Sequence, residues 1–253
     1  MTLRRIRRAV TLVVVLGICI LHYWLKRLRG PVTLERRALW LHECSRLVLR
    51  CVGVACTVEG QPPSCGLVVS NHLSYLDILV FSAAMPCFFI SKAEVSGWFF
   101  FSSAARAGGT IFLDRSSMAS ARTVAEQIDA RLRLPIPVPV LLFPEGTSTD
   151  GRQVLRFHTR LIDPATKAGA PITAAAIRYV IEGGIEEREF CWYGDEGFLP
   201  HLWKAMGFGG VSARLYFGEP RIYPDRRAAA GQTYAEIVAW RDASSPAVLC
   251  AKQ

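Results

Sequence analysis

The sequence predicts an α/β fold in which a mixed central sheet is flanked by helices, with an N-terminal hydrophobic membrane-anchoring helical segment. Three observations support this prediction. From residue 66 onward, short β-branched runs alternate with longer stretches of helical periodicity. A long uncharged apolar run lies near the N-terminus between two basic clusters. The length of 253 residues suits one such domain with a short appendage.

The first predicted unit, residues 1–30, is a membrane-embedded anchor. Within it, residues 9–25 are uncharged and mostly apolar. As a helix this run would be about 25 Å long, at the short end of what spans a hydrocarbon core of roughly 30 Å. No small-x-small cleavage site follows it, so an uncleaved anchor is favoured over a signal peptide. Because basic residues flank both ends, the segment either spans the bilayer or dips into one leaflet and returns.

The second predicted unit, residues 31–60, is an amphipathic interfacial helix, and residues 61–253 form the catalytic domain. Apolar residues recur at helical spacing over 34–56, where they are interrupted by arginines such as Arg36 and Arg50. A basic amphipathic helix of this kind can lie in the membrane interface. It can equally pack against the catalytic domain, and the pattern leaves both alternatives open.

The catalytic domain is predicted to alternate strands and helices. The candidate strands are residues 67–70, 110–113, 138–143, 172–179 and 212–217. The candidate helices are residues 75–84, 94–105, 117–132, 154–168 and 233–241. Ligands of open α/β sheets bind beyond the carboxyl ends of strands, so polar residues after the strands are the candidates for a site.

The charge of the chain is concentrated at its N-terminus. Residues 1–50 hold eleven Lys and Arg against two acidic residues, and the rest of the chain holds nineteen of each sign. A nucleic-acid enzyme would carry basic residues along its working cleft, so no nucleic-acid partner is expected. Basic segments beside an apolar run instead suit anionic lipid headgroups. The eight cysteines form no C-x-x-C pair, and reduced thiols in a cytoplasm-facing protein are the economical interpretation.

The most informative segment is Ser70-Asn71-His72-Leu73-Ser74-Tyr75-Leu76-Asp77, directly after an apolar run. His72 is the candidate general base, since imidazole is the side chain best poised near neutral pH. Asp77 can hold one ring nitrogen and stabilise the imidazolium. Five residues along one helix separate side chains by about 140°, so we expect His72 before the helix and Asp77 in its first turn. Asn71 is a candidate cap of that turn.

Three further segments contribute candidate binding residues. Arg115 follows the strand predicted at 110–113 and could grip a phosphate, or it could form a local salt bridge with Asp114. After the strand predicted at 138–143, Glu145 could bind hydroxyl groups of a ligand or orient an arginine, and Gly146 would let backbone approach a ligand. The predicted substrate-binding set is Arg115, Glu145, Gly146, Thr147, Lys92 and Asn71. No metal site is predicted, because the other histidines lack ligand spacing.

These segments resemble the glycerolipid (lysophospholipid) acyltransferase family of the bacterial 1-acyl-sn-glycerol-3-phosphate acyltransferase type. Four blocks match in order: residues 71–77, 109–115, 143–147 and the strand opened by Pro171-Ile172. The resemblance implies acyl transfer from acyl-CoA or acyl-carrier protein to a lysolipid hydroxyl. It implies His72 as base, Asp77 as its partner, and Arg115, Glu145 and Gly146 as ligands of the glycerol phosphate. The absence of a G-x-S-x-G elbow agrees with direct attack on a thioester, without a covalent nucleophile.

The chain departs from the family at two places. Phe157-His158-Thr159-Arg160 replaces the usual Phe-Lys-x-Gly, and the fourth block lacks a second proline. Both departures concern the acceptor headgroup. Lysophosphatidic acid, giving phosphatidic acid, is the first expectation and a lyso-aminolipid the second.

Two other classes of function stay open: a non-catalytic membrane lipid-binding protein, and a hydrolase that uses water as acceptor. The expected location is the inner (cytoplasmic) membrane, with the catalytic domain facing the cytoplasm and membrane lipids as partners. No cofactor is expected beyond the acyl donor, and the sequence does not predict an oligomeric state.

Overall fold

The computed structural model describes residues 2–92, 99–114 and 118–243, without the side chains of residues 92, 99–102, 118, 119 and 121. Two helices come first, α1 (Thr2–Leu28) and α2 (Leu34–Val52). The elements that follow are β1 (Val54–Glu59), β2 (Leu67–Ser70), α3 (Leu76–Ala84), β3 (Phe88–Lys92), α4 (Phe99–Ala107), β4 (Ile111–Leu113), α5 (Met118–Leu132), β5 (Val140–Leu142), α6 (Asp163–Lys167), β6 (Ile172–Ile181), a 3-10 turn (Glu187–Glu189), α7 (Phe198–Ala205), β7 (Val211–Phe217) and α8 (Arg226–Ala243).

Within the described residues the strands form one seven-stranded sheet in the order β1-β7-β6-β2-β5-β3-β4. Strands β2 to β6 run parallel, whereas β7 is antiparallel to β6 and parallel to β1. The predicted mixed sheet flanked by helices is therefore confirmed. The carboxyl ends of β2, β5, β3 and β4 lie side by side at one edge, which is where open α/β sheets bind their ligands.

Helices cover both faces of the sheet, so its central strands are apolar on both sides. On β2, Val68 packs into a core shared with α1, α2 and α3, whereas Leu67 and Val69 pack into the opposite core with α8. The same alternation continues on β6, where Ile177 and Tyr179 face the first core. A side chain on that face of β6 can therefore reach α3.

The helix predicted over residues 34–56 is too long by one turn, because a glycine ends it. Gly53 adopts φ 83°, a left-handed conformation that residues with a Cβ rarely take, and its N–H donates to the carbonyl of Leu49 at 2.9 Å. The chain then turns into β1, which pairs with β7. The apolar side of α2 packs against α3 in the first core.

The helix predicted over residues 154–168 is wrong except for the short α6. Backbone groups in this stretch bond to the loop after β5 instead of to each other. The N–H of Leu155 donates to a carboxylate oxygen of Glu145 at 2.7 Å, and that of His158 donates to the carbonyl of Pro144 at 2.9 Å. A helix over 154–162 would forfeit both bonds, so tertiary contacts override the periodicity.

The other predicted elements are present, most of them with shifted ends. Strand 67–70 has the predicted bounds, and the helix predicted at 233–241 begins earlier because the carboxylate of Asp225 caps the N–H groups of Arg227 and Ala228. Residues 94–98 and 117 of two predicted helices lie outside the described residues. Strands β1 and β3 and helix α7 were not predicted from the sequence.

Helix α1 is longer than the predicted apolar run and packs on the rest of the protein at both ends. Near its start, Arg8 donates to the carbonyls of Met206 at 3.0 Å and Phe208 at 2.8 Å. Near its end, Lys26 pairs with Glu43 of α2 at 3.0 Å. By length and composition α1 is long and apolar enough to cross a membrane.

Candidate active site

The structure brings His72 and Asp77 together at the carboxyl end of β2. His72 lies in the turn before α3, and Asp77 lies in the first turn of that helix. The ring Nδ1 of His72 is 2.8 Å from Oδ2 of Asp77. With a proton on Nδ1 donated to the carboxylate, the other nitrogen, Nε2, presents its lone pair, which is the tautomer that a general base requires.

The carboxylate of Asp77 is completely buried and is held by hydrogen-bond donors at both oxygens. Its Oδ2 accepts from the backbone N–H groups of Leu73 at 2.6 Å and Ser74 at 3.0 Å as well as from the imidazole. Its Oδ1 accepts from the hydroxyl of Tyr179 at 2.6 Å. A carboxylate with this many partners is fixed in position and can in turn fix the imidazole.

The imidazole of His72 is held by stacking as well as by hydrogen bonding. Its ring lies against Phe143, with centroids 4.2 Å apart and planes 14° from parallel. The side chain is 18% exposed and lines a cavity between the carboxyl ends of the strands. The base is therefore oriented by its protein neighbours while one side remains open to a substrate.

Glu145 joins the two site loops instead of projecting into the cavity. Its Oε1 accepts from the N–H of His72 and its Oε2 from the N–H of Leu155, both at 2.7 Å. Burial raises the pKa of Glu145 to about 7, although the two N–H donors and the nearby imidazole oppose this shift. Both oxygens are engaged, so the geometry gives Glu145 a part in holding the backbone of His72.

The remaining predicted residues take different positions around the cavity. Gly146, at φ 76°, and Thr147 line it. Asn71 is buried outside it, and its side-chain amide bonds the N–H and the carbonyl of Ile177 on β6 at 2.9 and 3.1 Å. Lys92 ends β3 at the same edge of the sheet, without a described side chain, and Arg115 lies outside the described residues.

Several residues around the site were not predicted from the sequence. Tyr179 is on β6, and Trp192 lines the cavity and packs edge-on against Tyr75 at 5.5 Å between ring centroids. The hydroxyl of Tyr75 bonds Nδ1 of the buried His201 at 3.0 Å. Tyr75 lies within the first matching block, residues 71–77, and this position could have identified it as a site residue. The sequence around Trp192 and Tyr179 contains no comparable signal.

Comparison with known proteins places the motifs in a family. The family model described as Acyltransferase matches residues 56–178, which include all four blocks. The chain is 32% identical to a lyso-ornithine lipid O-acyltransferase of Rhodobacter capsulatus over 76% of its length and 72% of that protein. It is 30% identical to a 1-acyl-sn-glycerol-3-phosphate acyltransferase of Neisseria meningitidis serogroup B over 79% of its length and 81% of that protein.

The fold is also similar to a solved structure. The crystal structure of the 1-acyl-sn-glycerophosphate (LPA) acyltransferase PlsC from Thermotoga maritima superposes with a TM-score of 0.68 at 18% identity, and the match covers 95% of this chain and 94% of that one. At this identity the likeness concerns the fold alone. The sequence relatives bear different names for their lipid acceptors, so they do not identify one acceptor for this chain.

Proposed function

Because this chain belongs to the acyltransferase family, we propose that it transfers a fatty acyl group from acyl-CoA or acyl-carrier protein to the free hydroxyl of a lysolipid. The observation that supports the proposal is the contact of 2.8 Å between His72 and Asp77 beside an open cavity. A pair in this geometry can remove a proton from an alcohol.

The proposed reaction needs no covalent bond to the protein. The acceptor hydroxyl gives its proton to Nε2 of His72 as its oxygen attacks the thioester carbonyl carbon. The carbon–sulfur bond then breaks, and the leaving thiolate takes the proton from the imidazolium. Asp77 stabilises the imidazolium between these steps and keeps the ring in one orientation.

We favour a lyso-ornithine lipid as the acceptor and take 1-acylglycerol-3-phosphate as the second candidate. Relatives named for the ornithine lipid come from R. capsulatus and from Pseudomonas aeruginosa, the latter 34% identical over 64% of this chain and 62% of that protein. The departure of residues 157–160 from the family pattern also favours an acceptor headgroup other than the phosphate of 1-acylglycerol-3-phosphate. The N. meningitidis relative and the candidate phosphate contacts Arg115 and Lys92 support the phosphate acceptor.

A panel of acceptors tests both the reaction and the headgroup. Purified protein would receive labelled acyl-CoA or acyl-carrier protein together with lyso-ornithine lipid, 1-acylglycerol-3-phosphate or no lipid. We expect kcat/KM at least about tenfold higher for the lyso-ornithine lipid, a difference of about 1.4 kcal/mol in transition-state binding. Fatty acid release at the same rate without a lipid would indicate a hydrolase. Binding of lipid without turnover would indicate a non-catalytic protein.

We further propose that α1 lies in one leaflet and that the catalytic domain faces the cytoplasm. Arg8 and Lys26 are about 27 Å apart along the helix, and both contact the same folded body. A spanning α1 would draw that body into the hydrocarbon, which is costly for its charged groups. The exposed side of α1 is apolar, with the large residues Val10, Val13, Val14, Ile18, Leu21 and Trp24 more than half exposed.

Charges placed on this exposed side should release the protein from membranes. We expect Val14→Asp with Leu21→Asp to lower the fraction that floats with anionic vesicles at least about tenfold, because two carboxylates would have to enter the hydrocarbon. The matched control is Ile136→Asp with Ile222→Asp. These two residues are 64% and 71% exposed and lie outside α1, Ile136 between α5 and β5 and Ile222 between β7 and α8. Equal flotation of the two double variants would contradict the proposal.

A further inference from the structure

Strand β6 extends beyond the end of the strand beside it. Its pairing with β2 ends at Ser70 and Ala175, and it continues against β7 as far as Ile181. The side chain of Asn71 makes two hydrogen bonds to the backbone of Ile177 and so fixes the start of this extension. The extension therefore places Tyr179 above the turn that holds the candidate base.

Tyr179 is fixed in this position from several sides. It is 2% exposed, and its ring packs on Phe190 with centroids 4.8 Å apart. Its N–H donates to Oε1 of Glu187 at 2.6 Å. The guanidinium of Arg241, in α8, holds both carboxylate oxygens of Glu187 at 3.0 and 2.9 Å. A buried ring fixed in this way has little freedom to change its rotamer.

The hydroxyl of Tyr179 is the described donor to Oδ1 of Asp77, at 2.6 Å, while the other donors meet at Oδ2. Burial, together with the negative charge of Asp77, raises the pKa of Tyr179 well above its ordinary value. The phenol consequently keeps its proton over the whole working range and acts as a permanent donor. A bond of this length to a carboxylate is charge-assisted and strong.

We infer that Tyr179 is a positioning residue of the reaction, whose hydroxyl holds the carboxylate of Asp77 and, through it, the imidazole of His72. This inference rests on the proposed function. Loss of the hydroxyl frees the carboxylate to rotate away from Nδ1, which lowers kcat.

The test is Tyr179→Phe in the full-length protein, with acyl transfer measured and the folded fraction determined by thermal unfolding. We expect kcat to fall about 10- to 100-fold, as for the loss of one charge-assisted hydrogen bond. We expect the KM for the acyl donor to stay within about twofold. The fall should persist when the rate is expressed per mole of folded protein, a result that destabilisation of the fold alone would not produce.

Tyr216→Phe is the matched control. The hydroxyl of Tyr216 also donates to a carboxylate, that of Glu236 at 3.4 Å, but it does so on β7 away from the site. We expect wild-type kcat for this variant. In the background of Asp77→Asn, Tyr179→Phe should have at most about a threefold further effect, because a residue that acts through Asp77 has nothing left to position.

Two outcomes would overturn the inference. One is a Tyr179→Phe variant whose kcat matches the wild type. The other is a loss of activity that disappears when the rate is expressed per mole of folded protein, measured by thermal unfolding. His72→Ala, assayed in parallel, distinguishes failure of the inference about Tyr179 from failure of the proposed function. If the wild type transfers no acyl group, or His72→Ala matches it, the proposed function itself fails.

Discussion

Replacing His72 with Ala is expected to lower kcat for acyl transfer by about 10²- to 10⁴-fold, the range that general-base catalysis contributes. Without the imidazole, the acceptor hydroxyl must lose its proton to water as it attacks the thioester. Binding of the acyl donor before that step does not require the imidazole, so the KM for the donor should change little. The measurement is the rate of label transfer from the acyl donor to the lysolipid by the purified variant in detergent.

His22→Ala is the control for the removal of a histidine. This half-buried side chain on α1 lies 3.9 Å from Glu43 of α2 and is not among the residues that line the cavity. It should leave turnover unchanged. Asp77→Asn should also lower kcat strongly, because an amide can present its N–H₂ to Nδ1 and favour the wrong tautomer. Turnover by His72→Ala within about threefold of the wild type would remove the proposed base.

Replacing Glu145 with Gln is expected to lower kcat at least about 30-fold, although Glu145 does not line the cavity. The two carboxylate oxygens accept from the N–H groups of His72 and Leu155. Glutamine offers one acceptor and one donor, so one buried N–H would face another N–H, and an unsatisfied donor costs about 1–3 kcal/mol. The loops would separate and His72 would shift. Glu236→Gln, on α8, is the matched control and should retain full activity.

The same residue predicts a pH dependence of stability. The pKa of Glu145 lies near 7 in the folded protein against an ordinary value of 4.5, because burial disfavours the charge. The native state therefore holds this proton more tightly than the unfolded chain. Its contribution is fully present below about pH 4.5 and is lost as the pH rises through about 7.

Urea unfolding over this range checks the sign. From pH 5 to pH 8 the free energy of unfolding should fall more for the wild type than for Glu145→Gln, which has no group to titrate at this position. Other carboxylates titrate in both proteins, so the difference between the two curves isolates residue 145. Parallel curves would show that burial does not raise the pKa of Glu145.

The sequence alone predicted the parts of this protein that depend on neighbouring residues. The strand at 67–70 was predicted from four consecutive apolar or small residues. Helix α3 was predicted from the helical periodicity of the residues that follow this strand. The expectation that His72 precedes the helix and Asp77 lies in its first turn needed only the geometry of five residues. The motifs also identified the family, since four short blocks in one order are specific.

Other features depend on which strands become neighbours, and only the tertiary structure decided them. The placement of β6 beside β2 brings Tyr179 to Asp77, from 102 residues away. It also joins Asn71 to Ile177, a contact that the role predicted for Asn71 did not include. β1 was missed because this edge strand is exposed over most of its length and pairs with β7 far along the chain.

The local pattern predicted a helix wrongly at one place, where hydrogen bonds to distant residues outweigh the helical propensity of the stretch. Residues 154–162 have helical spacing, yet the N–H of Leu155 bonds Glu145 instead. Periodicity and spacing are properties of adjacent residues, so a sequence displays them directly. A hydrogen-bond partner on another strand is identified only when the order of the strands in the sheet is known. For that reason the residues that surround His72 could be identified only from the tertiary structure.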